Sequence, residues 1–423
     1  MAERAVRRAR RRSTGVVAGA ERPRTRDSTA PAGLRIVRPP RSRTRDTAAE
    51  TRTNLRLLLI PAVSLTLIGI VMVLSASSVS AITECGSGFC FFFRQVIYAI
   101  VGMGALLVVR RLDYHVWQRV SVPLLGVSVF LLLLALHPTA GVSAYGASRW
   151  LNVGPVTIQP SEIAKLALIA FAATVIVRKW KRLDDPWHVA IPLVPVVIVV
   201  AGIVILQRDL GTTIILCGTV FVMLFVAGVR LRYLGVAGLG ALVFAAVLIL
   251  GEGYRRARFL SAFHPFADPQ GTGYQLIQGY IALGSGGWFG VGLGASRQKW
   301  QYVPNAHTDF IFAILGEELG LLGELVVLAL FAMVIYAGVR ISVRAPDTFG
   351  RLLAAGITAW LGLQTIVNLG AVTGLLPITG VPLPLVSFGG SALVATLTGI
   401  GALASVARAS GGTAPRRRRG TPG

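Results

Sequence analysis

Acidic residues are scarce in this chain: 18 Asp and Glu stand against 42 Lys and Arg in 423 residues, a net charge of +24. Charge of either sign is thin, at 14% of residues against 54% hydrophobic, which excludes an ordinary soluble domain and fits a polytopic membrane protein. Histidine is limited to five scattered residues with no HExxH pair and no Cys/His ligand spacing, so a zinc site is not expected. No GxSxG stretch offers a nucleophile elbow. GVGLGA at 290–295 has nominal dinucleotide spacing, but no buried strand precedes it, and a nucleotide role is set aside. No internal repeat is visible that would argue for a transporter built from duplicated halves.

What the chain does have is apolar runs near the length of about 20 residues that crosses a bilayer as a helix. They fall at 55–79, 94–110, 120–137, 161–177, 187–206, 211–229, 234–251, 309–337, 351–374 and 389–407. Basic residues collect at 1–53, Arg110, Arg111, Arg119, 178–182, Arg230, Arg232, Arg340, Arg344 and 416–419, all on one side if both termini are cytoplasmic. The expected fold is therefore an all-α polytopic membrane protein of about ten transmembrane helices. Its N and C termini are cytoplasmic, and a large extracytoplasmic loop joins helices 7 and 8. Residues 1–53 read as a disordered basic tail suited to anionic headgroups or a cytoplasmic partner, 54–408 as the transmembrane domain, and 409–423 as a second basic tail. With no apolar stretch at the extreme N-terminus, a cleaved signal peptide is not expected. The excess of basic charge marks membrane topology; no nucleic-acid partner is expected.

Three connections on the outer side, 138–160, 252–308 and 375–388, mix Gly, Pro, aromatics and charge, and any chemistry is expected there. Apolar stretches within 275–295 suggest short helices at the interface or re-entering the protein. Cys85 and Cys90, in ECGSGFC, lie outside, where either a disulfide or two free thiols is admissible. Cys217, in mid-span, reads as packing.

Ionisable residues at membrane depth are costly and usually retained for a purpose. Glu162 and Lys165, at i and i+3 with Ser161 as candidate N-cap, fit either a helix-stabilising ion pair or the polar wall of a cavity. Asp209 follows Arg208 at the turn between the fifth and sixth spans, and Arg149 lies in the first outer loop. Gln364 and Asn368, one turn apart, read as glue between helices. Asp309, beside His307 and Thr308, begins the eighth span at the water–lipid boundary, where a carboxylate can act as cap, ion-pair partner or general base. Glu317 and Glu318 follow deeper; at about 100° per residue they point some 80° and 180° away from Asp309, so they read as packing groups.

Several long motifs then carry a family likeness. GTGYQLIQGYIALGSGGWFGVGLGASRQKW (271–300), running into VPNAHTDFIFAILGEELG (303–320), resembles the SEDS family of polytopic cell-wall synthases; so do GASRW (146–150), QPSEIAK (159–165) and GLLPITGVPLPLVSFGGS (374–391). The likeness covers about 55–408, and SRQKW at 296–300 draws it toward the division branch typified by FtsW more than the elongation branch. It implies a peptidoglycan glycosyltransferase of the division septum. Such an enzyme transfers growing glycan from undecaprenyl pyrophosphate to the 4-hydroxyl of lipid II in the cytoplasmic membrane. A class B penicillin-binding transpeptidase (FtsI-like) and other divisome proteins are the implied partners. Asp309 matches the family's essential acid. Glu162 and Lys165 fall on its central cavity, and Arg149 matches a basic residue that handles the lipid substrate. His307, Thr308, Arg297, Lys299 and Ser387 are further substrate-binding candidates. No certain cofactor is implied, and a divalent cation, Mg or Mn, stays open.

Three departures stand out: Arg208 and Asn305 where the family usually has Pro and Glu, and Phe388 where Tyr is usual. An elongation polymerase, a lipid II flippase and a non-catalytic scaffold are the competing readings.

Overall fold

The computed structural model describes residues 42–138, 141–144, 147–154, 156–182, 185, 187–300, 302–304 and 306–411. The expectations for residues 1–41, for Asn305 and for the arginine run at 416–419 lie outside the described residues.

Twelve α-helices follow in order: α1 (Ser42–Cys85), α2 (Cys90–Val109), α3 (His115–Ala135), α4 (Pro160–Arg178), α5 (Trp187–Leu206), α6 (Leu210–Val226), α7 (Leu231–Leu250), α8 (Gly253–Phe263), α9 (Tyr274–Gly286), α10 (Ile311–Val343), α11 (Thr348–Val372) and α12 (Gly390–Gly411). Among the described residues nine are long and apolar enough to cross a membrane, and α6, with 17 residues, lies at the short end of that range. With α6 the count is ten. Contacts sort the connections into two ends as the charge pattern requires. At the basic end Arg344 pairs with Glu50 at 3.0 Å, Arg408 donates to the Arg110 carbonyl at 2.6 Å, and His115 meets Asp347 at 2.7 Å. At the other end, Arg149 meets residues 207–209, and the segments around 91, 307 and 388 touch.

Burial separates inner from outer helices. In α4, 83% of the apolar window is buried, and in α11 and α12 78%, whereas in α7 only 6% is. The inner helices are therefore rich in small residues that let backbones approach, as in AKLALIAFAAT on α4 and GIGALASVA on α12. The outer ones leave Leu, Ile, Val and Phe to lipid.

Four details correct the sequence expectations. The first outer loop is not helical or irregular but a small antiparallel sheet in the order β1 (Gly141–Ala144), β2 (Ala147–Val153), β3 (Val156–Ile158), so the chain is mostly rather than wholly α. The short β-branched runs pair because a loop against a bilayer must satisfy its own N–H and C=O groups. Secondly, Asp309 is not in the eighth span. The helix begins at Ile311, which removes the basis for projecting Asp309 and Glu317 on one helical wheel. Thirdly, α4 starts at Pro160 with Gln159 as N-cap, so Ser161 is not the cap; it is buried one position inside the helix. Proline at the first position fits because its missing N–H would be unpaired there anyway. Fourthly, Arg208 adopts φ 59°, a conformation closed to proline. After it Asp209 caps α6, accepting from the Thr212 N–H at 3.0 Å.

Helix α10 is broken at Gly320 (φ 67°, ψ −172°). Beyond the break, residues 321–343 alone extend about 34 Å, enough for the hydrocarbon core. Ile311–Glu318 form a separate, wholly buried segment. The loop after α9 docks into the break. Leu321 N–H donates to the Gly287 carbonyl at 2.9 Å, and Val291 N–H to that of Glu317 at 2.9 Å. Glu317 and Glu318 hold the same loop. Glu317 accepts from Ser296 Oγ and from Arg297 N–H (2.9 Å), while Glu318 accepts from Ser75 Oγ on α1 and lies 3.9 Å from Lys299. Cys85 and Cys90 are joined by a disulfide that closes the α1–α2 turn, and Cys217 is half-buried within α6.

A Cβ at Gly320 would meet Gly290 N at 2.3 Å and Phe289 C at 2.7 Å, at a φ that disfavours side chains. Gly320→Ala is expected to lower the melting temperature and to speed proteolysis within 287–300, read by limited digestion and mass spectrometry. An unchanged cleavage pattern contradicts the docking role.

Candidate active site

Two buried amides on α11 organise the outer end. Asn368 Nδ2 donates to the carbonyls of Asp309 and Val381, each at 2.8 Å. Both are acceptors, which fixes the orientation of the amide. One turn earlier, Gln364 Oε1 accepts from Lys165 Nζ at 2.8 Å and from Trp360 Nε1 at 2.7 Å, while its Nε2 donates to the Pro382 carbonyl at 3.0 Å. Gln364 thus glues α11 to α4 through Lys165, as expected, and the two amides also fasten 380–382 and the Asp309 turn to α11.

Lys165 and Glu162 pair at 2.8 Å with 2% and 1% exposure. Lys165 also lies 5.0 Å from the centre of the Trp360 ring. Glu162 Oε2 and Ser161 Oγ are buried and find no protein partner, so this polar cluster keeps unused acceptor capacity.

Above it, Asp309 is half-buried in the turn ahead of α10, and its Oδ1 accepts from Thr308 Oγ1 at 3.1 Å. Burial pushes its carboxyl up to about 6; the Thr308 hydroxyl and two guanidinium groups, Arg258 on α8 and Arg149 on β2, pull the other way. Gly380, at φ 69°, faces both: a Cβ there would lie 4.0 Å from Arg149 and 4.0 Å from an Asp309 carboxylate oxygen. Arg149 is aimed by the α5–α6 turn, donating to the carbonyls of Gln207 (3.4 Å) and Arg208 and standing 3.9 Å from Asp209. One carboxylate flanked by two cations can take a proton from a neutral hydroxyl and steady a departing anion.

The remaining candidates separate. His307 is clamped between Phe91 (5.0 Å, stacked) and Phe388 (5.7 Å), and burial holds its imidazole down at about 4, so it is neutral near pH 7. Phe388 completes this apolar clamp edge-on to Phe91, packing where a Tyr hydroxyl would need a partner. Ser387 is buried, its Oγ accepting from the Leu383 N–H at 2.8 Å, and it closes the turn that holds Leu385 at φ 66°. Arg297 is exposed and Lys299 is buried against Glu318 and the Gly294 carbonyl. Neither is among the charges that act on Asp309.

Sequence reasoning missed Arg258 and Gly380. Arg258 had a signal: YRRARF at 254–259 puts three arginines on the outer side, against the bias of basic residues toward the cytoplasm. Gly380 had none beyond its Gly-Pro-rich surroundings. Among the described residues no three metal-ligating side chains converge.

Breaking the Glu162–Lys165 pair by Lys165→Met is expected to destabilise by about 3–5 kcal/mol because it strands a buried carboxylate, and adding Glu162→Gln recovers most of it. A double-mutant cycle of unfolding temperatures reads this. Since the folded pKa of Asp309 lies above its unfolded value, its contribution to stability is present at low pH and lost as pH rises through about 6. Asp309→Asn is therefore expected to raise the melting temperature most at pH 7.5, less at pH 4.5, and not at all at pH 3, below the unfolded pKa. Asn368→Ala should speed hydrogen exchange in 306–310 and 376–388 together and leave α1 and α2 unchanged.

Comparisons place this arrangement among known proteins. A family model described as "Cell cycle protein", covering FtsW, RodA and SpoVE, matches residues 55–411. The probable peptidoglycan glycosyltransferase FtsW of Geobacter metallireducens is 44% identical over 84% of this chain and 95% of its own. Stage V sporulation protein E of Bacillus subtilis is 42% identical over 86% and 99%. Among solved structures, a chain from work titled "Structural coordination of polymerization and crosslinking by a peptidoglycan synthase complex" aligns at TM-score 0.67 and 30% identity, over 83% of this chain and 97% of that one. The rod shape determining protein RodA of Thermus thermophilus aligns at TM-score 0.61 and 28% identity over 83% and 95%. With the family model matching residues 55–411 and relatives more than 40% identical over most of both chains, the chain belongs to the FtsW/RodA/SpoVE family.

Proposed function

We propose that this chain, a peptidoglycan glycosyltransferase by its family, polymerises lipid II at the division septum. The observation that carries the reading is Asp309, a carboxylate raised by burial at the outer mouth of the helix bundle, which faces Arg149 across Gly380 and feels the charge of Arg258. Asp309 takes the proton of the acceptor sugar's 4-hydroxyl as that oxygen bonds to C1 of the donor sugar. The bond from C1 to the pyrophosphate oxygen breaks, and undecaprenyl pyrophosphate leaves with its charge facing the two arginines. A single displacement of this kind needs one base and no carboxylate nucleophile, and Asp209, the other acid beside Arg149, is committed to capping α6 through Thr212. A Mg or Mn ion carried in with the pyrophosphate supplies additional positive charge when bound. Thr308 orients the Asp309 carboxylate, and Asn368 fixes its backbone.

A class B penicillin-binding transpeptidase is the proposed partner, supported by the similarity to a chain solved in a complex named for polymerisation and crosslinking. The septal role is supported by similarity to proteins named FtsW, while 42% identity to a sporulation protein keeps the division and sporulation branches close. Localisation at the side wall instead of the septum would move the assignment to the elongation branch.

The test is polymerisation of purified lipid II by the protein with its transpeptidase partner. Asp309→Ala is expected to lower the rate by at least about 100-fold, the size of a general-base contribution. Normal polymer from that variant removes Asp309 from the reaction, and lipid II translocation without polymer by the parent favours a flippase. The parent rate is expected to fall tenfold per pH unit below about 6, where Asp309 becomes protonated, and to level off above it. Because Arg258 and Arg149 both hold the carboxyl down, Arg258→Gln should move that acid limb to higher pH as well as slow the reaction.

A further inference from the structure

The cytoplasmic end of α4 carries a cluster of charge that the proposed reaction does not use. Arg178, Lys179, Trp180 and Lys181 line a cavity of about 600 Å³ whose other walls are Val177 and Thr348. That size lies within the range of small-molecule pockets, about 300–1,000 Å³. All three cations are exposed, and among the described residues no carboxylate lies within ion-pair distance of any of them. The acid adjoining the cavity, Asp347, is engaged elsewhere, accepting from Gly350 N–H at 2.7 Å and meeting His115 at 2.7 Å. Thr348 is the first residue of α11, and because the Asp347 carboxylate already caps that helix start, the attraction for an anion rests on the three cations.

Its level in the membrane narrows the ligand. The apolar span of α4 ends at Arg178, and that of α5 begins at Trp187. Trp180 and Trp187, 37% and 71% exposed, flank the short turn between them, in the manner of tryptophans at a headgroup boundary. A lipid reaching this cavity presents its phosphate to the three cations and its acyl chains to the exposed apolar flank of α5.

We propose that this cavity binds the phosphodiester headgroup of an acidic phospholipid of the cytoplasmic leaflet. Arg178, Lys179 and Lys181 hold the phosphate and Trp180 lies at the acyl boundary. The bound lipid bridges the cytoplasmic ends of α4 and α11, whose outer ends carry Lys165 and Asn368. The inference does not depend on the glycosyltransferase reading, because it is read by binding alone.

The test uses the full chain, purified and delipidated in a neutral detergent. Phosphatidylglycerol, phosphatidylcholine and inorganic phosphate are added separately, and bound lipid is counted by native mass spectrometry alongside the melting temperature. The parent is expected to retain phosphatidylglycerol at least tenfold more strongly than phosphatidylcholine, with the preference shrinking at high salt. R178Q/K179Q/K181Q is expected to lose that preference, while R110Q/R111Q/R119Q, which removes the same charge elsewhere on that face, keeps it. Equal loss in both variants would show general surface attraction and overturn the site. Displacement of the lipid by millimolar inorganic phosphate would overturn the lipid assignment in favour of a free anion. The parent's preference and its salt dependence need no variant, so their absence rejects the proposal even if the triple variant fails to fold.

Discussion

One side-chain amide ties the outer end of this protein together. Asn368 uses both hydrogens of Nδ2 on two carbonyls from segments more than 70 residues apart, Asp309 and Val381. An unpaired carbonyl at that depth costs on the order of 1–3 kcal/mol, so each loop gains by keeping its place on α11. Gln364 repeats the device one turn deeper and adds a buried lysine. The candidate base therefore owes its position to a helix on which it does not sit. Precision at the site comes from a rigid inner helix and not from the loops that carry the chemistry.

Electrostatics are layered above and below those amides. The Lys165–Glu162 pair compensates its charges within the inner helices, with Lys165 bonded to Glu162 and Gln364 while Glu162 Oε2 stays without a protein partner. Asp309 is compensated only in part, and burial prevails over two arginines and a hydroxyl. A fully paired carboxylate would be too weak a base, and an unopposed one would stay protonated near neutrality. The balance found here places it between these limits. Glu317 and Glu318, which share the same sequence motif, are drawn instead into holding the glycine-rich loop at the α10 break.

The spans, their sidedness and the family likeness were legible from composition and motif because they rest on local properties: apolar length, the distribution of Lys and Arg, and contiguous runs of residues. Asp309, Arg149, Glu162 and Lys165 stood out for the same reason, being charged where charge is costly. Less legible were features set by contacts between distant segments. The sheet at 141–158 is built from strands too short to announce themselves. The break at Gly320 depends on a loop docking from outside the helix. Ser387 and Lys299 read as substrate-facing by motif, yet the structure commits their polar atoms to Leu383 and to Glu318 with the Gly294 carbonyl.

By itself the sequence determined that the chain crosses a membrane about ten times with its basic connections on one side, because transfer of apolar side chains and of charge is decided residue by residue. It also determined which acids were worth attention. Only the tertiary structure decided that Arg258 joins Arg149 at Asp309, that Gly380 leaves the space between them open, and that Asn368 holds the turn. Those relations link residues tens to hundreds of positions apart, and no local property of the chain encodes which of several arginines a fold will bring to one carboxylate.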